Sequence, residues 1–405
     1  MASLHPFRAL RPAPPVAATV SSVPYDVVNV EEARQLAAGN RLSFLHVTRS
    51  EIDLPPSTDP YSSSVYERAR KNLATLRTTA PLVVDESPSI YFYRLRMGAH
   101  EQTGIAACFS VDEYEQDVIK KHERTRRDKE DDRTRHIVEL HAQTGVVFLT
   151  YRGTRGVDAE VARATAGTPL YDFTAADGVQ HSLWRADAQA TSVIVAAFAA
   201  IPALYIADGH HRAASAARAR AALKADADGS EAETFIAVAF PHDQMQILPY
   251  NRTVKDLAGR SADEFLEALR QQFPVVEGPA VPRRKGEVSM YLAGRWYTID
   301  MSRATPEDES RASGLDVALL QRHVLERLLG IGDIRTDKRV DFVGGARGTD
   351  ALQRAVDSGG AAVAFSMHPV TIDDLMAISD AGGIMPPKST WFEPKLRDGL
   401  LVHLI

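Results

Sequence analysis

The chain has 405 residues, 44% of them hydrophobic and 25% charged, with a formal net charge of -6 and one cysteine, Cys108. That length allows two or three domains, and the mild negative charge argues against broad nucleic-acid binding. A single cysteine excludes an intrachain disulfide and a multi-cysteine zinc site.

The start, "MASLHPFRALRPAPPVAATV", has no continuous apolar stretch of the signal-peptide kind. No run of about 18 apolar residues follows, so the expectation is a cytoplasmic protein without a membrane span. A pass along the strand and helix signals divides the chain into three segments, 1–106, 107–250 and 251–405.

In the first segment, "VPYDVVNVEEARQLAAG" predicts a turn and then a helix capped by Asn29, with Glu31 and Glu32 at its positive end. "RLSFLHVTR" has β-character, and "YSSSVYERARKNLATLRTT" reads as a helix. "SIYFYRLRMGAHEQTGIAACFSV" reads as a hairpin turning near Gly98.

The second segment opens on "VDEYEQDVIKKHERTRRDKEDDRTRHIVELHAQTG", helical in propensity and ending at Gly145. "VVFLTY", "PALYIA" and "TFIAVAFP" predict buried strands, and "DGVQHSLWR" a hairpin at Asp177-Gly178. An alanine-rich helix after residue 209 should stop in an Asp/Gly-rich turn.

The third segment mixes both types again. Helices are expected at "SADEFLEALRQQF", "LDVALLQRHVLERLLG", "GTDALQRAVDSG" and "TIDDLMAISDAG", and strands at "VSMYLAGRWYTID" and "AAVAFSM". "EDESRASG" reads as an exposed loop.

The chemistry concentrates in "LYIADGHHRAASA", where an apolar strand runs through Asp208, Gly209, His210, His211 and Arg212 into a helix. The first turn of a helix has unpaired N–H groups and a partial positive charge, which suit a phosphate. Gly209 permits the tight turn, and Arg212 is suited to bidentate phosphate contact. Asp208 conflicts with an anion site unless a Mg²⁺ ion bridges its carboxylate to the phosphate. The plainer alternative has Asp208 as a helix cap, with both histidines on the surface.

A second stretch, Lys120 to His136, contains no apolar residue. It suits either a solvated helix with i,i+4 ion pairs or the wall of a charged cavity. His122-Glu123 resembles the start of a His-Glu-x-x-His zinc motif, but position 126 is arginine, which removes the second ligand.

His122-Glu123, an apolar strand and Asp208-Gly209-His210-His211-Arg212, in that order, resemble free serine kinases of the ParB/sulfiredoxin-like fold. Along nearly its whole length the chain is also similar to the domain-of-unknown-function 1015 family. "HPFRALRP", "VPYDVV", "FLHVTR", "YIADGHHRAASA", "YNRTVKDL", "DFVGG" and "MPPKSTWFEPKLRDGL" carry that likeness. The fold class it implies is α/β (α+β), a ParB/sulfiredoxin-like core flanked by further mixed α/β segments.

The kinase resemblance implies transfer of a phosphoryl group from ADP or ATP, with Mg²⁺, to the hydroxyl of free L-serine. It implies Glu123 as the base, Asp208 as a catalytic or metal-holding group, and Gly209, His210, His211 and Arg212 as the phosphate cradle. His122, Thr125, Arg126 and Arg133 are further candidates for phosphate or substrate contact. Nucleotide and amino acid are the expected partners, and a homodimer stays open. The link between the two motifs is longer than in the compact kinases. The competing readings are a ParB-like nucleotide switch and a scaffold without ligand; the absence of a helix-turn-helix or basic arm argues against DNA binding.

Overall fold

A computed structural model describes residues 1–223 and 230–405, so the Asp/Gly-rich turn expected after the alanine helix lies outside the described residues. The chain is mixed α/β, with 36% helix and 25% strand. It divides into two compact units, Met1–Met245 with Pro394–Ile405, and Gln246–Glu393.

The first unit is built on a nine-stranded sheet. Its strands are β1 (Leu4–His5), β2 (Tyr91–Met97), β3 (His100–Ser110), β4 (Ile119–Lys120), β5 (Val147–Tyr151), β6 (Tyr171–Thr174), β7 (Gln180–Arg185), β8 (Leu204–Asp208) and β9 (Thr234–Pro241). They lie in the order β4-β8-β5-β9-β3-β2-β7-β6, with β1 added on β3. The β2–β3 and β6–β7 hairpins turn where the glycine signals place them. β5 and β9 run parallel, and their side chains are buried in all positions but Thr234, as the unbroken apolar runs require.

Residues 106 and 107 lie inside β3, and the two compact units divide between Met245 and Gln246. The N-terminal segment contributes β1, β2 and most of β3 to the same sheet as the later strands. The last twelve residues also return here: Val402 and Leu10 exchange backbone hydrogen bonds, as do Asp398 and Ser22.

Four helices matter for the site: α1 (Val30–Ala37), α2 (Ser63–Thr79), α3 (Arg127–Leu140) and α4 (His210–Leu223). Asn29 caps α1, as the sequence predicts, and the Glu32 side chain completes a capping box by accepting from the Asn29 N–H. "RLSFLHVTR" is instead a short helix at Leu45–Thr48, whose Leu45 and Val47 are buried. It packs on α2, and that burial outweighs its β propensity.

The long helix expected from residue 111 is also interrupted. A turn of helix at Val111–Glu115 stops at Asp117, which has φ 60°, and β4 then pairs in parallel with β8. His122 and Glu123 therefore sit on an irregular segment ahead of α3, and His141 closes α3 in the left-handed conformation.

The second unit carries a six-stranded sheet of β10 (Tyr250–Val254), β11 (Val275–Glu277), β12 (Glu287–Leu292), β13 (Arg295–Asp300), β14 (Val340–Gly344) and β15 (Val363–Met367). Its order is β11-β13-β12-β15-β10-β14. Helices Ala262–Arg270, Gly348–Asp357 and Ile372–Asp380 lie where the periodicity puts them. Helix also forms over Asp316–Leu320, but its next turn, Gln321–Glu326, is wound as a π-helix. "EDESRASG" is exposed loop for most of its length.

Candidate active site

At the end of β8 the chain turns through Gly209, whose φ of +97° is a left-handed value that side chains rarely adopt. A Cβ there would meet the Arg212 guanidinium at 3.2 Å, so the arginine closes tightly over the turn. α4 begins at His210, and its Ala213 N–H donates to the Gly209 carbonyl. The preceding amides form the electropositive first turn.

The 121–126 segment lies against this turn. The His122 N–H donates to His210 Nε2 at 3.3 Å, and the Arg126 N–H donates to His211 Nε2 at 2.9 Å. Glu123 Oε2 lies 4.0 Å from His210 Nδ1, and the rings of His122 and His210 meet edge to face at 4.4 Å. Two stretches some 88 residues apart in sequence are thus brought together.

His122 and His210 are buried, whereas the Glu123 side chain is 46% exposed. Burial pushes His122 down to about 4, against the pull of Asp208. Burial, and then His122, hold His210 well below its ordinary value. Both rings are neutral at pH 7.

Asp208 Oδ2 accepts from Lys395 Nζ at 3.0 Å and lies 3.6 Å from Arg212. Burial alone would raise this carboxyl, but the two cations outweigh it and hold it well below the usual range. An aspartate already compensated by two cations does not suit the expected role of Mg²⁺ ligand.

Arg212 is buried and spans Asp26, at 2.9 Å, and the Val146 carbonyl. Its guanidinium braces the loop from below, instead of reaching into solvent as a phosphate cradle requires. Asp26, in the turn before α1, thus meets a partner 186 residues away.

The remaining candidates are held by protein partners. Thr125 donates to Glu130, and the exposed Arg126 pairs with Asp128 at 2.9 Å. Arg133 donates to Asp132 and Thr48 and stacks on Tyr25 at 4.3 Å. Asp132 in turn accepts from Tyr66 at 2.8 Å. The apolar-free stretch is therefore packed against α4 through the ion pairs of Arg218 with Glu130 and Asp131, and against α2 through hydrogen bonds to Tyr66 and Ser63, with Asp132 and His136 buried.

Lys395 escaped sequence reasoning. The only signal was the stiff "MPPKSTWFEPKLRDG" segment, which names no partner.

A mixed α/β protein with an anion-suited strand–glycine–helix turn facing a carboxylate is the class that fold and site define. The chain belongs to the family described as "Protein of unknown function (DUF1015)", whose model matches residues 4–318. Both motifs lie inside that range and Lys395 lies outside it.

Among solved structures, the chain is similar to a conserved hypothetical protein from Pyrococcus furiosus (14% identity, 74% of this chain and 95% of that one, TM-score 0.36). It is similar to a free serine kinase in complex with AMP (13%, 73% and 91%, TM-score 0.37). SbnI with C-terminal truncation from Staphylococcus aureus is a third (12%, 74% and 87%, TM-score 0.40). All three likenesses are distant. No curated protein matches the sequence. Among the described residues, no helix is long and apolar enough to cross a membrane.

Proposed function

We propose that the protein is a small-molecule kinase that moves a phosphoryl group from ADP or ATP to the hydroxyl of free L-serine. The observation that carries this reading is the approach of Glu123 to the turn that begins α4, with Glu123 4.0 Å from His210. A nucleotide switch needs donors for phosphate but no base beside them; a transferase needs both.

The terminal phosphates sit on the first-turn amides of α4, with Lys395 alongside. Glu123 accepts the hydroxyl proton as the serine oxygen attacks phosphorus. The new O–P bond forms as the bond to the leaving AMP or ADP breaks. His210 directs a ring N–H at Glu123, since its Nε2 is taken by the His122 amide. Mg²⁺ accompanies the nucleotide as its counter-ion and neutralises phosphate charge. Asp208 holds Lys395 in place, and Arg212 holds the loop.

The test is to incubate the pure protein with Mg²⁺, L-serine and either nucleotide, and to look for O-phospho-L-serine. Serine-dependent formation of AMP or ADP is the expected result. Nucleotide binding without serine-dependent turnover would favour the switch.

A further inference from the structure

The zinc-type motif that begins at His122-Glu123 lacks its local second histidine, because position 126 is arginine. The fold supplies one from elsewhere. His122, Glu123 and His210 offer ligand atoms that all lie within 4.8 Å of one another.

The geometry points to a binding site for a borderline divalent transition-metal ion, of the Zn²⁺ or Co²⁺ class, formed by His122, Glu123 and His210. Two imidazoles and one carboxylate make a donor set suited to such ions, while Mg²⁺ prefers oxygen alone.

The strongest support comes from His122. Its side chain is 2% exposed, and the Ile206 carbonyl takes its ring hydrogen bond. The other ring nitrogen, Nδ1, is buried and has no hydrogen-bond partner among the described residues. A bare buried imidazole nitrogen costs free energy unless something fills it. A backbone carbonyl fixing the opposite nitrogen is how metal-binding histidines are commonly oriented.

Metal–ligand distances near 2.1 Å require donor atoms about 3.4 Å apart, so the three side chains must close by roughly an ångström. Glu123, on the irregular segment and half-exposed, has room to do so. His210 must move its proton from Nδ1 to Nε2, which opens the 3.3 Å bond from the His122 amide. Nearby, Asp208 adds negative charge that reaches His122, and Lys395 and Arg212 partly offset it.

This inference does not depend on the kinase reading, although a bound ion would occupy the carboxylate that serves there as the base. The experiment therefore uses no nucleotide and no serine. Metal-free protein is titrated with Co²⁺ alone, following visible absorption and heat. One Co²⁺ per chain is expected, with Glu123→Gln and His210→Asn each lowering the association constant at least tenfold. His5→Gln, an exposed histidine elsewhere, leaves binding unchanged. Because Glu123 is half-exposed, its variant keeps the fold, which thermal unfolding checks. Absence of stoichiometric binding, or unchanged affinity in either site variant, overturns the site.

Discussion

Asp208 and Lys395 show how much of a site is decided by one distant partner. The two residues are 187 positions apart, and their side chains meet at 3.0 Å. Nothing in the local pattern around Asp208 signals a lysine, so a divalent cation was the natural expectation. Replacing Lys395 by methionine leaves the carboxylate with Arg212 alone, 3.6 Å away. Loss of a largely buried charged hydrogen bond should cost about 2 kcal/mol in urea unfolding. The same variant should bind nucleotide at least tenfold more weakly by calorimetry, since the proposal places Lys395 beside the phosphates. Wild-type values in both measurements would remove Lys395 from the site.

At the level of elements, legibility followed locality. The Asn29 cap, both hairpins of the large sheet and the glycine-initiated turn into α4 depend on neighbours within a few residues, and each was readable. The interruption at Asp117 was not, because it answers to β4 pairing with β8, a contact between residues some 85 apart. The apolar-free stretch kept both of its readings until α4 supplied ionic partners for it and α2 supplied hydrogen bonds.

The β8–α4 turn provides the sharpest test at this scale. Gly209→Ala forces a side chain into a left-handed conformation and against Arg212. The strain should cost about 1–3 kcal/mol and tilt the first-turn amides. Nucleotide affinity should then fall at least tenfold in calorimetry while circular dichroism stays native. Unchanged affinity would mean that the turn does not hold phosphate.

For the whole molecule, the mixed α/β class was evident from alternating apolar runs and helical periods, but the unit boundaries were not. β3 runs across residues 106 and 107, and the final segment returns to the first unit. Long-range burial also sets the response to acid. Burial holds His122 and His136 at about 4 and His181 at about 3, against an ordinary value near 6.5. Between those limits the unfolded chain binds protons that the folded chain refuses, so stability is complete above pH 6.5 and falls as pH drops towards 4. Asp398, raised by burial to about 7, works the other way, losing stability as pH rises from 4 to 7. The buried histidines, His210 among them, outweigh the raised carboxyls, to which Asp158 and Asp316 also belong. Urea midpoints should therefore fall between pH 7.5 and pH 5, and His136→Gln should flatten that slope. A midpoint that rises towards pH 5 would contradict the assignment of neutral buried rings.

The central claim is that the carboxylate of Glu123 serves a phosphate bound at the start of α4. Glu123→Gln, assayed for O-phospho-L-serine beside the wild-type protein, addresses it most directly. The account predicts at least a hundredfold loss of transfer, the scale expected for a general base, with nucleotide affinity within about twofold of wild type. A Glu123→Gln protein that phosphorylates serine at the wild-type rate would contradict it.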